Sequence, residues 1–315
     1  MPRLLCAGLL ALIACGGDDE RAGTSSELAA ETAPLVLGLV PSLEAATLVT
    51  RLEPLGAYLS AELGRPVRTF VPQDYTGLIE ALGSGRADIA MLPPFAAMLA
   101  ADRYGVEPLL ISVRDGQSSY RAQWMTSDPN VCDAPPTPGE NGLLRCSGSI
   151  ASVAGKRVAF TSPTSTSGYL FPALQLIELG IDPERDIQPV FVGGHDAVVL
   201  AVRNKSVDFG ASYDDARTYI IEQYPDLRET VLPFAFSDPI PNDGVQVRGD
   251  LPAPLRQSIA DALVALTTRE SALPQAERML YRLYEIDGFE RFRPGTYDSV
   301  ARAFREFRDK IDIDR

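Results

Sequence analysis

Short apolar runs of strand length alternate with longer segments whose apolar residues recur at helical spacing, and this grammar occurs twice along the chain. Leu35–Val40, Val67–Val71 and Ala87–Leu92 are the first such runs. Leu48, Leu52, Leu55, Leu59 and Leu63 mark a helix closed by Gly64, and Asp74–Leu82 predicts another. Strands separated by helices pair in parallel, so this half reads as an α/β unit that Leu109–Val113 extends. Tyr120–Thr126 then carries the chain to a second unit. There the pattern resumes as strand Arg157–Phe160, helix Tyr169–Leu179, strand Gln188–Phe191, helix Ala197–Arg203 and strand Val207–Ala211, with Tyr213–Ala216 opening a further helix. Val231–Phe236 reads as the return crossing, and Asp250–Arg308 as mostly helical with Tyr281, Leu283, Tyr284 and Phe304 in its core. The expected fold is two α/β lobes, each a mainly parallel sheet flanked by helices, joined by two hinge crossings. Residues 35–116 and 232–315 would form lobe 1, and 117–231 lobe 2. Such a molecule has a cleft at the carboxyl ends of its strands and closes around what binds there.

The two ends of the composition argument are the N-terminus and the charge. Leu4–Ala14 is apolar but too short to span a bilayer, and it follows Arg3, so residues 1–14 read as a signal peptide. Leu12-Ile13-Ala14-Cys15-Gly16 resembles the bacterial lipobox, which implies a lipid anchor through Cys15 and an extracytoplasmic location; an ordinary cleaved signal is the alternative. Residues 15–34, rich in Gly, Ser, Thr, Glu and Asp, read as a flexible tether. Outside the cytoplasm Cys132 and Cys146 should be oxidised to a disulfide that closes the Pro- and Gly-rich segment between them. A metal site there is poorly supported, since no His or further Cys accompanies the pair. No metal or cofactor is expected elsewhere. The net charge of -13 would repel nucleic acid and anionic membrane surfaces. A small anion can still bind, because donors in a water-poor cleft outweigh distant screened charge.

Thr161–Pro172 concentrates the candidate chemistry. A buried strand feeds a hydroxyl-rich turn and then a helix, an arrangement that aims main-chain N–H groups and the positive helix end at one spot. Ser165, Thr166 and Ser167 add neutral donors, and Gly168 allows close approach. One hydroxyl would suffice as an ordinary N-cap; three in succession exceed that need. His195 is the chain's single histidine and lies in Gly193-Gly-His-Asp196 at a strand's end, where ligands collect, although a lone His often has a structural role. By their own sequence context, Tyr75 fits a packed residue of an amphipathic helix, Asp215 an acidic helix start, and Asp243 a turn former.

Asp74–Ile79, Val153–Phe160, Pro163–Pro172, Gly193–Ala197 and Val207–Ala211 occur in the order seen in the phosphate, phosphite and phosphonate-binding subunits of bacterial ABC importers. The chain resembles that family over nearly all of residues 35–310, most specifically in the Ser-Thr-Ser-Gly run and the Gly-His-Asp downstream. The resemblance implies a type II periplasmic-binding-protein fold, a phosphorus oxyanion as ligand, a membrane permease as partner, and a monomer without enzymatic activity. It implies that Ser165, Thr166 and Ser167 hold the phosphonyl oxygens, that Tyr75 donates from the first lobe, and that His195 reaches the same oxygens. Asp215 and Asp243 would face the rest of the ligand. Where phosphonate receptors often place an aromatic, this chain has Met91-Leu92-Pro93, which points to a smaller ligand such as phosphite, phosphate or methylphosphonate.

Three other readings remain open at this level. Ser165 or Ser167 with His195 and Asp208 or Asp196 could mimic a hydrolytic triad, although no Gly-x-Ser-x-Gly elbow supports it. The cleft could serve a ligand sensor. It could also take another oxyanion, a sulfonate or nitrate, or a thiamine-like molecule, since neutral hydroxyls suit them all.

Overall fold

The computed structural model describes residues 33–308; the signal segment, Cys15 and nearly all of the expected tether lie outside them. The first lobe starts β1 (Leu35–Leu39), α1 (Ala45–Leu63), β2 (Val67–Phe70), α2 (Tyr75–Gly83), β3 (Ile89–Leu92), α3 (Pro94–Tyr104) and β4 (Glu107–Val113). In α1 four residues of the expected stripe, Leu48, Leu52, Leu55 and Leu59, are buried, Leu63 at the end is partly buried, and Gly64 ends the helix at φ 63°. The Asp74 carboxylate accepts the Gly77 N–H at 2.6 Å and thereby starts α2 with Tyr75 as its first residue.

The second lobe contains β6 (Ala122–Thr126), the short pair β7 (Thr137–Pro138) and β8 (Leu144–Arg145), β9 (Arg157–Phe160), α4 (Phe171–Glu178), β10 (Gln188–Phe191), α5 (His195–Arg203), β11 (Phe209–Tyr213), α6 (Leu227–Thr230) and β12 (Leu232–Phe236). Its sheet runs β10-β9-β11-β6-β12, with β9, β10 and β11 parallel and β6 antiparallel to both neighbours. Between the lobes β5 (Ser119–Tyr120) pairs with β13 (Ile240–Pro241). The chain then returns through β14 (Gly244–Val247), α7 (Ala253–Glu270), α8 (Met279–Tyr284), β15 (Gly288–Arg291) and α9 (Asp298–Phe307). The first sheet runs β15-β4-β14-β3-β1-β2.

Both sheets are therefore mixed rather than simply parallel. A strand that enters from the hinge starts at the cleft and must run away from it, opposite to the parallel strands that run towards it. β6 and β14 are those strands, each inserted antiparallel beside a parallel neighbour. The run expected as the return crossing, Val231–Phe236, is instead the edge strand β12 of the second sheet, paired with β6. The second crossing is β13, so the boundary expected at residue 232 falls after Phe236. The mostly helical patterns that follow from Asp250 make the run read as the crossing, whereas its Leu232, Pro233 and Phe234 complete a sheet. Likewise β15 interrupts the stretch expected to be mostly helical.

Cys132 and Cys146 are joined, with Cα atoms 5.6 Å apart. Their loop is fastened to the second sheet by Cys146 N–H to Pro233 O at 3.0 Å and Gly148 N–H to Phe234 O at 2.9 Å. Among the described residues no helix is long and apolar enough to cross a membrane.

Candidate functional site

The carboxyl ends of β1, β3, β9 and β11 converge on a cavity of about 130 Å³ between the lobes. Val40, Ser42 and Leu43 follow β1, Met91 and Pro93 end β3, and Arg114 ends β4. Across from them stand Ser165 and Ser167 after β9, His195 at the start of α5, and Tyr213 and Asp214 at the end of β11. Tyr120 of β5 and Asp243, just before β14, close the hinge side, while Tyr284 and Glu285 come from the end of α8.

The Ser-Thr-Ser-Gly stretch, expected as a turn before a helix from Tyr169, forms one wide π turn over Thr166–Leu170, and the α-helix starts after it at Phe171. Leu170 N–H reaches back five residues to Ser165 O at 3.0 Å, and Phe171 N–H likewise reaches Thr166 O. The cause is Pro172, which has no N–H to give Gly168 O; that carbonyl accepts from Thr161 N–H at 3.3 Å instead. Gly168 is needed for proximity, because an added Cβ would collide with the Thr161 side chain. Ser165 Oγ accepts the Gly168 N–H at 3.1 Å, so this hydroxyl caps the turn while it lines the cavity.

Tyr75 reaches Ser165 from the first lobe, and Tyr120 reaches Ser167 and Thr166 from the crossing. Burial pushes both phenols up from their ordinary range, so they remain hydrogen-bond donors at any physiological pH. His195 is 4% exposed, and burial lowers its imidazole to about 3, which leaves the ring neutral. Its Nδ1 lies 2.8 Å from Ser212 Oγ, and its ring stacks edge-on with Tyr213.

The charged groups form a second wall. Arg114 pairs with Asp243 at 2.6 Å and donates from Nε to Tyr284 O at 2.7 Å. Burial lowers its guanidinium, but the Asp243 carboxylate outweighs burial and holds it above its ordinary value. Glu285 occupies a left-handed conformation at φ 54°, uncommon for a residue with a side chain, and ends α8. Burial pushes its carboxyl up against the opposing pull of Arg114. Asp214 is pushed up by burial and by Asp215 beside it.

Tyr75, Ser165, Ser167, His195 and Asp243 are thus brought to one cavity, and Thr166 and Asp215 are not on its wall. Thr166 is fully buried and its Oγ1 accepts the Phe95 N–H at 3.0 Å from the first lobe, so it fastens the lobes together beside the cavity. Asp215 points the other way. Both its oxygens bind Arg217, at 2.9 and 2.6 Å, and Asn141 donates to it at 3.0 Å. The cavity carboxylate on that loop is its neighbour Asp214. The triad arrangement is not assembled either: Asp208 binds Arg157 at the far end of β9, and Asp196 accepts the main-chain N–H groups of Ala197 and Glu44. The sequence marks Tyr284 only as a core residue and does not mark Arg114, Tyr120, Asp214 or Glu285 as site residues. The ends of β4 and β11, the crossing strand β5 and the α8 terminus bring them in, and none of these has a local signature. Among the described residues no group of three or more His, Cys, Asp or Glu side chains could hold a metal ion.

Residues 37–297 match the family described as ABC transporter, phosphonate, periplasmic substrate-binding protein. A similar protein is the phosphate-import protein PhnD of Mycolicibacterium smegmatis, 32% identical over 66% of this chain. The match spans 63% of that relative, so the chain accounts for less than two thirds of its length. The fold is similar to that of a binding protein component of an ABC phosphonate transporter from Pseudomonas aeruginosa, with a TM-score of 0.74, 21% identity and 88% of each chain covered. It is also similar to PhnD1 from Prochlorococcus marinus in complex with methylphosphonate, with a TM-score of 0.73, 16% identity, and 88% of this chain and 99% of that one covered.

Proposed function

The chain belongs to the family of periplasmic substrate-binding proteins of phosphonate ABC transporters, and on that premise we propose that its cleft captures a small phosphorus oxyanion and hands it to a membrane permease. The ligand is phosphite, phosphate or a phosphonate with a small substituent. The observation that carries this reading is the set of neutral groups Ser165, Ser167, Tyr75, Tyr120 and His195 around one cavity contributed by both lobes. Uncharged hydroxyls ring the ligand's oxygens, and in a water-poor site each bond to a charged oxygen is stronger than its counterpart in bulk water. The tautomer in which Ser212 donates to Nδ1 places the His195 hydrogen on Nε2 and makes the ring a further donor, whereas the other tautomer leaves Nε2 an acceptor. Val40, Leu43, Met91 and Pro93 leave an apolar side to the cavity that suits hydrogen or a methyl group better than an extended polar chain.

Capture in this scheme is reversible and leaves the ligand unchanged. Delivery takes place outside the cytoplasm, with the chain tethered through a lipid on Cys15 and acting as a monomer. Titration calorimetry of the full chain with phosphite, phosphate, methylphosphonate, aminoethylphosphonate and sulfate tests the reading. One-to-one binding of a phosphorus oxyanion in preference to sulfate is expected, with no turnover. Replacing Ser165 and Ser167 together by Ala should weaken it by about 1–3 kcal/mol for each bond lost. Preference for sulfate, or an unchanged affinity in the double variant, would move the function elsewhere.

A further inference from the structure

Asp196 follows His195 in the first turn of α5 but stands beside the cavity rather than on its wall. Its Oδ1 accepts the Ala197 N–H at 2.9 Å, within its own helix. Its Oδ2 accepts the Glu44 N–H at 3.0 Å, from the opposite lobe. Glu44 opens α1, a helix of 19 residues whose N-cap makes no side-chain cap hydrogen bond; the Glu44 carboxylate instead accepts from Thr47 Oγ1 at 2.6 Å, and Asp196 brings a second carboxylate to the same helix start. The positive end of that helix dipole is met by a carboxylate from across the cleft. Next to this contact His195 N–H donates to Ser42 O at 2.8 Å, a second main-chain bond between the same two loops.

Gly194 supplies an independent observation. Its φ of -109° suits any residue, so backbone conformation does not demand glycine there. Space does: an added Cβ would collide with the Asp196 carboxylate and stand 3.4 Å from Ser42 O of the other lobe. The loop is bare where the two lobes meet.

We propose that Asp196 is a closure residue, whose carboxylate bridges the starts of α5 and α1 and holds the two lobes shut over the cavity, with or without a ligand in it. It acts through the positions of Ser42 and His195, which do line the cavity, and so it is a positioning residue for capture. This inference deepens the function proposed above and rests on it for the identity of the ligand. The latch itself contacts no ligand. It therefore sets the fraction of closed protein, and a change in that fraction scales the affinity for every ligand by one factor.

Two measurements on the full chain test it, each made on the wild type, Asp196→Ala, Asp196→Asn and Gly194→Ala. In titrations with phosphite, phosphate and methylphosphonate, Asp196→Ala should weaken all binding ligands by a common factor on the order of tenfold, with the loss in the dissociation rate. Asp196→Asn keeps an acceptor and should recover part of it, while Gly194→Ala should behave like Asp196→Ala because it evicts the carboxylate. Small-angle X-ray scattering of the ligand-free proteins should show larger radii of gyration for Asp196→Ala and Gly194→Ala than for the wild type. Unequal factors among the ligands would make Asp196 a ligand contact and overturn the latch. Wild-type affinity and radius in Asp196→Ala would overturn it as well. If the wild type binds none of the three probes, the functional reading fails by itself, and the scattering comparison still decides the latch.

Discussion

At the scale of single residues the sharpest consequences attach to charges that burial leaves with one partner. Arg217 is 1% exposed and its guanidinium is shared among Asp215, Leu144 O at 2.8 Å and Val231 O at 2.6 Å. Removing either partner of this ion pair strands a charge in the interior, and Arg217→Ala or Asp215→Ala should cost about 3–5 kcal/mol in urea unfolding. Burial raises the Asp215 carboxyl, but the bonds from Arg217 outweigh it and hold it below the ordinary range. Its contribution is therefore present above the unfolded carboxyl value, near 4, and is lost as pH falls through the lower folded value. His195 works in the opposite direction. Held neutral to about pH 3 by burial, it is protonated more readily in the unfolded chain. It thus favours unfolding progressively as pH drops below about 6.5. An unfolding series from pH 8 to 4 should show stability falling over that lower range, and His195→Gln should flatten the decline. From sequence, Asp215 and its neighbour Asp214 could not be told apart, because both carry the same group at the end of one strand. Arg217, two residues on, decided which of them turned inward.

Elements were more legible than residues wherever period alone determined them. The stripe of Leu48, Leu52, Leu55 and Leu59 predicted α1 because a helix buries one face, and the short apolar runs predicted β1, β3 and β9 because parallel strands are covered on both faces. The π turn at Thr166–Leu170 was not legible, since it arises from a missing N–H on Pro172 together with the approach of Thr161 to Gly168. Gly168→Ala should push Thr161 aside at a cost of about 1–3 kcal/mol and disturb the hydroxyls that the turn presents. Thermal melting and calorimetry of the same variant would register both. The loop closed by Cys132 and Cys146 is a second testable element. It meets the second lobe at Asn141 and Leu144, which bind Asp215 and Arg217. Replacing both cysteines by Ala should reduce stability by about 3 kcal/mol, the loop entropy returned to the unfolded chain. A chemical denaturation midpoint equal to that of the wild type would show that these contacts hold the loop unaided.

For the whole molecule the two-lobed plan could be read from the repeated strand and helix grammar, but the seam between lobes could not. β12 is a plain apolar run, whereas β14 is four residues long and interrupted by Gln246, and their assignment to opposite sheets depends on β13 pairing with β5 in three dimensions. The same long-range assembly sets the electrostatic problem for the proposed anion site, in a chain of net charge -13 whose cavity also holds Asp214, Asp243 and Glu285. Arg114 offsets Asp243 directly. Asp214 and Glu285 are relieved in a different way, because burial pushes both carboxyls up and makes a proton easier to keep. A negative ligand favours their protonated forms further, and each proton can be shared with a ligand oxygen as a hydrogen bond. Affinity should therefore be highest on the acid side of neutrality, where ligand and cavity share protons. It should weaken as pH rises and the carboxylates face the oxyanion unprotonated. Calorimetric titrations with phosphite from pH 5 to 9 measure this slope, and Glu285→Gln, which stays neutral and retains a donor, should bind more tightly at high pH and show a shallower slope. Tighter binding of the fully deprotonated ligand by the wild type would mean that the hydroxyl cage and Arg114 dominate the carboxylate wall, and that the cavity selects charge rather than protons.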